Sequence, residues 1–235
     1  MGKKREHKSE YDENEYDIAP KSFKEIRATS TKKRLIIILE NSQLETVKVG
    51  NKYELLSNDR HSELLKKNNR DPGSSRPDIT HQCLLMLQDS PLNKSGYLQI
   101  YVHTEKNVLI EIHRQTKIPT DFDEFADLMV YLLHKNKVRA SKNASTLLKV
   151  IKNPVTNYLP AGCKKILMSF SADGIKDPED LVPDNEPIAF VIGAMAHGQV
   201  KADYTEETVS INSLPLSGAL TCTELCLAFE KKWTR

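Results

Sequence analysis

The most uniform apolar stretch in the chain is "RLIIILE", in which residues 35–39 are all aliphatic and three are isoleucine. A short run without polar alternation, rich in β-branched side chains, has the character of a strand covered on both faces, as in a parallel sheet. It predicts a central strand. Downstream, "SNDRHSELLKKNNRDPGSSRPD" predicts a short polar helix and then a loop, with Asp71, Pro72, Gly73, Ser74 and Ser75 as breakers. "DITHQCLLMLQDSP" predicts a helix with Ile79, Cys83, Met86 and Leu87 on its apolar side and Pro91 just beyond its end. Residues 97–102 and 108–112 flank a polar turn at Glu105, Lys106 and Asn107, the pattern of a hairpin.

The clearest helix lies in "PTDFDEFADLMVYLLHKNK", where Phe122, Phe125, Leu128, Met129, Leu132 and Leu133 form one stripe that Thr120 or Asp121 can cap. "ASTLLKVIKNP" repeats that spacing on a shorter scale and predicts a helix ending before Pro154. "KKILMSF", "PIAFVIG" and "TVSI" predict three more strands. A final helix follows in "NSLPLSGALTCTELCLAFEKKW", with Ala219, Cys222, Cys226, Phe229 and Trp233 stepping by three and four. Strands alternating with helices predict an α/β fold, a mostly parallel sheet flanked by helices. Ligands of such sheets bind beyond the carboxyl ends of the strands, which draws attention to "VIGAMAHG" and "INSLPLSG".

Length and composition add bounds. With 235 residues, 39% of them hydrophobic, the chain can build one large α/β domain or two small ones. No stretch reaches the roughly 18 apolar residues of a membrane span, and "MGKKREHKSEYDENEYD" has no apolar region after its charges. Cys83, Cys163, Cys222 and Cys226 include no CxxC pair, which argues against a zinc site or a disulfide framework and for a reducing, intracellular compartment. Cys222 and Cys226 read as helix core.

Charge is unevenly spread. Residues 1–34 hold 10 Lys/Arg and 7 Asp/Glu with few apolar side chains, so residues 1–32 are expected to form a charged, disordered tail. Residues 128–172 contain no Asp or Glu but eight cations: Lys135, Lys137, Arg139, Lys142, Lys149, Lys152, Lys164 and Lys165. Residues 173–235 carry 11 acidic and 5 basic side chains. This asymmetry points to a polyanionic partner, nucleic acid foremost, against the alternative of a solvated lysine-rich surface.

Side-chain chemistry limits what the glycine loop can hold. A phosphate-cradling loop needs GK[ST], whereas here the second glycine is followed by Gln199 and Val200. A dinucleotide site needs G-x-G-x-x-G, and the spacing here is G-x-x-x-x-G. Close backbone approach to a neutral or cationic organic ligand is one reading, with Pro215 fixing the neighbouring loop; two tight turns are the other. His197 has no nucleophile or carboxylate assigned to it by any motif, and His81 beside Cys83 reads as core rather than as a Cys-His dyad.

"RPDITHQCLLMLQDSPLNKSG", "LLKVIKNPV", "FVIGAMAHG" and "PLSGALTC", in this order, closely resemble the eukaryotic and archaeal pseudouridine-N1-specific small-subunit ribosomal RNA methyltransferases, over about residues 33–233. The resemblance implies a SPOUT-type methyltransferase domain over residues 33–235, with a C-terminal trefoil knot at about residues 164–235. It also implies S-adenosylmethionine as cofactor, S-adenosylhomocysteine as product, a homodimer and small-subunit ribosomal RNA as partner. Ribosome assembly in the nucleolus, with other assembly factors, is the implied setting. A pre-ribosomal RNA-binding assembly factor, non-catalytic or with a dual role, is the alternative. By similarity the cofactor lies against Met168, Gly193, Gly198, Ile211, Asn212, Ser213, Leu214, Pro215 and Leu216.

Asp78 of "RPD" is then the residue to orient or deprotonate the substrate, with Arg76 on a phosphate; alternatively Asp78 caps the helix that follows. Lys117, Lys135, Lys137 and Arg139 complete the expected RNA contacts. The family's arginine-rich stretch before the long helix reads "KIPTDFDEF" here, so grip there is expected to be weaker and that of residues 128–172 stronger.

Overall fold

The isoleucine-rich run forms β1 (Arg34–Ser42), in the middle of an eight-stranded sheet, in a computed structural model that describes residues 33–141 and 145–234. The expected tail and Lys142 lie outside the described residues. Next come the hairpin β2 (Thr46–Val49) and β3 (Lys52–Leu55), the helices α1 (Asn58–Lys67), α2 (Pro77–Asp89) and α3 (Pro91–Lys94), and the hairpin β4 (Leu98–Thr104) and β5 (Leu109–Ile112). The chain continues through α4 (Phe122–Lys135), β6 (Lys137–Arg139), β7 (Thr146–Ile151), β8 (Lys164–Met168), β9 (Pro187–Gly193), β10 (Glu207–Val209) and α5 (Gly218–Trp233).

The large sheet runs β10-β8-β9-β1-β4-β5-β7-β6. Its first five strands are parallel, with Leu35 opposite both Leu98 and Ile188. The short turn from β4 to β5 permits only an antiparallel return, and β7 and β6 continue in that sense.

β1 buries alternate residues on opposite faces. Leu35, Ile37 and Leu39 join the main core with Cys83, Leu84 and Leu87 of α2, Phe125 and Leu132 of α4, and Cys222 and Phe229 of α5. Ile36 and Ile38 face a smaller cluster, closed by Val155 and Tyr158 of a 3-10 turn and by Ala202 and Tyr204 of a loop. Truncating one fully buried leucine such as Leu87 to alanine costs about 2–5 kcal/mol, a large part of an ordinary domain's stability.

α4 shows why its sequence is so legible. Asp121 Oδ1 accepts from the amides of Asp123 at 2.8 Å and Glu124 at 3.1 Å, and Asn136 ends the helix in the left-handed region at φ +61°. The cap is therefore Asp121 rather than Thr120.

"ASTLLKVIKNP" corrects the expectation of a helix, since it forms β7 between β5 and β6. Leu148 stands opposite both Ile112 and Val138. Leucine pairs and β-branched residues in so short a segment fit either period, and the unpaired edge of β5 decides between them. Met86 also departs from expectation: the buried stripe of α2 is Thr80, Cys83, Leu84 and Leu87, which leaves Met86 beside it and 46% exposed.

Candidate cofactor cavity and basic edge

Because β10, β8 and β9 are parallel neighbours, their carboxyl ends open on one side, and the loops leaving them enclose a cavity of about 340 Å³. That volume lies within the range of small-molecule sites. Met168, Ser169 and Phe170 line it after β8, Gly193 and Met195 to Val200 after β9, and Val209 to Asn212 with Leu214 and Leu216 after β10. Of the expected cofactor residues, Met168, Gly193, Gly198, Ile211, Asn212, Leu214 and Leu216 are brought together here. Ser213 and Pro215 shape the same turn without lining the cavity. Asn212 Oδ1 accepts from the Leu214 amide at 2.9 Å, and the Asn212 carbonyl accepts from Ser210 Oγ at 2.9 Å.

None of the lining side chains is an Asp, Glu, Lys or Arg. The walls offer main-chain amides and carbonyls, hydroxyls, the Asn212 and Gln199 side chains and apolar surface. Such a lining suits an organic ligand read by its edges and its shape, and it lacks the cations a polyphosphate needs. His197 and Gln199 of the glycine loop belong to this lining, as do Ser169 and Thr221, which were not singled out in the sequence.

The glycines differ in what they do. Gly198 holds φ +102°, a backbone state closed to ordinary side chains. Gly193 has ordinary torsions, and a Cβ there would meet Val200 Cγ2 at 3.0 Å. Gly218, the first residue of α5, was missed in the sequence although it stands in the quoted "PLSG". A Cβ there would meet the Gly193 carbonyl oxygen at 3.0 Å and Cys83 Sγ at 3.2 Å. Its small size lets the start of α5 close against the end of β9, where Ser217 Oγ caps the helix on the Leu220 amide at 3.2 Å.

α2 and α5 lie side by side in the same direction. The Cys83 thiol meets Cys222, and Ser90, about two turns further along, meets Cys226. The hydrogen bond with Cys83, and then burial, push the Cys222 thiol well up, and burial pushes Cys226 up to about 12, so both are neutral packing groups.

The first turn of α2 therefore rises at the same end as the cavity, and it carries Asp78. Arg76 binds Asp78 through Nε to Oδ1 at 2.8 Å and Nη2 to Oδ2 at 2.7 Å. The hydrogen bonds to Asp78 raise the Arg76 guanidinium above its ordinary value. The Asp78 side chain caps no helix amide; Pro77 at the first helical position already removes one donor. His81 stacks on Phe125 with ring centroids 4.3 Å apart, and its Nε2 donates to the Pro119 carbonyl at 2.7 Å. This contact ties the loop bearing Lys117 to α2. Lys117 and Arg114 line a separate cleft of about 570 Å³ between that loop, the second half of α2 and α3.

The cations of residues 128–172 do not form one face. Lys135, Lys137 and Arg139 are exposed at the end of α4 and on the edge strand β6. Lys164 instead pairs with Glu207 at 2.7 Å and Lys165 with Glu206, both beside β10. Hydrogen bonds from Lys164 and Lys176 hold the Glu207 carboxyl down at about 2. The acidic C-terminal third thus neutralises the last two lysines of the run. In the stretch before α4, Asp121 caps the helix and Asp123 pairs with Arg60. These acids have structural partners within the chain.

Residues 37–230 match the EMG1/NEP1 methyltransferase family. A Drosophila melanogaster relative named ribosomal RNA small subunit methyltransferase NEP1 is 55% identical over 230 residues, covering 94% of this chain and 91% of its own. The Homo sapiens protein of that name is 59% identical over 201 residues, with 86% and 82% covered. The crystal structure of Archaeoglobus fulgidus Nep1 bound to S-adenosylhomocysteine superimposes with a TM-score of 0.74 over 86% of this chain and 100% of that one. Its 23% identity speaks for the fold. From the pattern of its four sequence blocks to its fold, the chain belongs to the EMG1/NEP1 methyltransferase family.

Proposed function

We propose that the protein transfers a methyl group from S-adenosylmethionine to N1 of a pseudouridine in small-subunit ribosomal RNA. The observation that carries this reading is the cavity at the carboxyl ends of β8, β9 and β10, lined without charged side chains, in a chain of this family. The residues fit such a ligand: main-chain groups of the 209–216 segment could read an adenine edge, and Gly198, with its positive φ and no side chain, would leave the loop's backbone open to it. The cofactor, when bound, supplies an electrophilic methyl group on a sulfonium.

The chain's own residues handle the other substrate. N1 of pseudouridine is a ureide N–H, bonded to the C2 carbonyl and conjugated through C6=C5 to the C4 carbonyl, and it must give up its proton as its lone pair attacks in line, so orientation supplies much of the acceleration. Asp78, in the first turn of α2 and outside the cavity lining, is the proposed group to orient or accept that proton. Its bond to Arg76 is compatible with this role, because each carboxylate oxygen keeps a free lone-pair direction. Arg76 keeps three of its five N–H donors for an RNA phosphate. Lys117, Lys135, Lys137 and Arg139 are the proposed further phosphate contacts.

A C-terminal trefoil knot at about residues 164–235, a homodimer with RNA lying across both subunits, and action in the nucleolus with other assembly factors belong to the same proposal. The dimer is supported by exposed apolar side chains at Leu220 and Leu227, seven residues apart on α5, which would otherwise face water. The test is mass spectrometry of a short RNA hairpin carrying uridine or pseudouridine at the target after incubation with protein and cofactor. Methylation of the pseudouridine hairpin alone is expected; methylation of uridine, or of neither, overturns the assignment.

A further inference from the structure

Beneath the cavity loop lies a buried ionic cluster that the reaction does not use. Glu40, at the end of central strand β1, is 6% exposed. Its carbonyl accepts from the Ala194 amide at 2.8 Å, where the chain leaves β9. Its carboxylate accepts from Tyr204 Oη at 3.3 Å through Oε2, and from His103 Nδ1 of β4 through Oε1. His103 Nε2 faces Asn107 Oδ1 at 2.9 Å. Each ring nitrogen of His103 faces an acceptor, and the hydrogen bond to Glu40 raises the imidazole above its ordinary value. Asn107 in turn accepts from Asn153 Nδ2 at 2.8 and 2.9 Å, so the chain of bonds ends on another segment.

Ala194 and Tyr204 bracket the cavity-lining residues from Met195 to Val200. Ala194 is fully buried, and Tyr204 packs in the smaller core with Ala202 and Val200. Glu40 touches both anchors, one with its main chain and one with its side chain. The neighbouring Asn41, at φ +57°, adds a third tie through Nδ2 to Met195 Sδ at 3.5 Å.

We propose that Glu40, hydrogen-bonded to His103, is a positioning residue that clamps both ends of the cofactor loop through Ala194 and Tyr204 and so sets cofactor affinity. The inference rests on the reading of this cavity as the S-adenosylmethionine site. A loop tied at both ends loses little freedom when ligand binds, whereas a loop released at Tyr204 must be ordered at that moment, and the cost appears in affinity. Glu40, His103 and Tyr204 are outside the cavity lining and are not among the proposed RNA contacts. Loss of the clamp raises KM for the cofactor and leaves kcat at saturation and KM for RNA as they were.

The test uses the full chain with Tyr204→Phe, which keeps the packed ring and removes only the hydroxyl, and with Glu40→Gln. S-adenosylhomocysteine binding is read by calorimetry, and KM and kcat are read with a pseudouridine hairpin. For Tyr204→Phe the expected result is a rise of about five- to tenfold in the dissociation constant and in KM for S-adenosylmethionine, with kcat within about twofold. A larger rise is expected for Glu40→Gln, and Tyr204→Phe decides alone if that variant does not fold. An unchanged dissociation constant in Tyr204→Phe, or a fall in kcat with KM unchanged, overturns the clamp. A wild-type chain that binds no S-adenosylhomocysteine overturns the cavity's assignment itself, an outcome distinct from equal binding by wild type and variant.

Discussion

Arg76 and Asp78, two residues apart on either side of Pro77, hold each other in a two-pronged hydrogen bond at 2.8 and 2.7 Å. Both are about a third exposed, so the pair stabilises the fold by no more than about 1 kcal/mol. Asp78→Asn should therefore leave the melting temperature within a few degrees of wild type while methylation falls by two orders of magnitude or more. If Asp78 serves only to orient Arg76, RNA affinity falls in parallel with rate; if it handles the proton, kcat falls alone. A collapse in thermal stability would return Asp78 to a purely structural role.

Three glycine-to-alanine variants should rank by geometry. Gly198→Ala must take up φ +102° or remodel the loop, with a strain of roughly 1–3 kcal/mol and a matching loss of cofactor affinity. Gly218→Ala pushes against a backbone oxygen and a buried thiol and should lower stability as well as affinity, by about 1–3 kcal/mol. Gly193→Ala meets only the tip of Val200 and should be the mildest. Calorimetry beside thermal melts checks the order, and equal effects at all three positions would contradict it.

Charge reversal separates the two groups of lysines. Lys135→Glu with Lys137→Glu should weaken RNA binding and flatten its salt dependence, since each removed phosphate contact lowers the slope of log K against log salt by about one. Lys164→Glu should leave that slope nearly unchanged, because Lys164 already serves Glu207. Filter binding across a salt series reads both, and equal slopes for wild type and the double variant would remove β6 from the RNA surface.

His113 gives the fold an acid limit. It is 5% exposed, and burial, aided by the Arg114 charge, lowers it to about 4, while its Nδ1 accepts from the Gln115 amide at 3.3 Å. The folded state therefore binds this proton less readily than the unfolded chain, whose value is near 6.5. Its contribution is complete above 6.5 and is lost as pH falls toward 4, by up to about 3 kcal/mol. His103, raised by Glu40, has the opposite sign: its contribution is complete below 6.5 and is lost as pH rises through the raised value. Urea unfolding between pH 7 and 4 should show a shallower loss for His113→Asn than for wild type.

Legibility in the sequence followed how locally each feature is determined. β1, α4 and α5 carry their own period and caps, so residues 35–39, Asp121 and the cysteine steps were readable. β7 was not, because "TLLKVI" becomes a strand only by pairing with β5 and β6, whose proximity is tertiary. β6 is three residues long, too short for any period. At the cavity, Gly193 and Gly198 were visible as a spacing, but Gly218 matters through contacts with Gly193 and Cys83, far away in sequence. Glu40 has no local signature, because its ties to Ala194, His103 and Tyr204 reach elements far away in sequence. The eight-cation run was visible as a count, yet its division between two ends of the sheet depends on strand order.

That division has a geometric consequence. β8, beside the cavity, and β6, with Lys137 and Arg139, are six strand steps apart. At about 4.8 Å per step this is roughly 29 Å, before twist shortens it. An oligonucleotide too short to cover that distance cannot reach both from a single protomer. The minimum length of RNA that gains affinity from β6 is thus a ruler laid across the sheet: a threshold near this span means one protomer reads the whole site, and a shorter threshold means the cations beside a cavity are lent by the neighbouring copy.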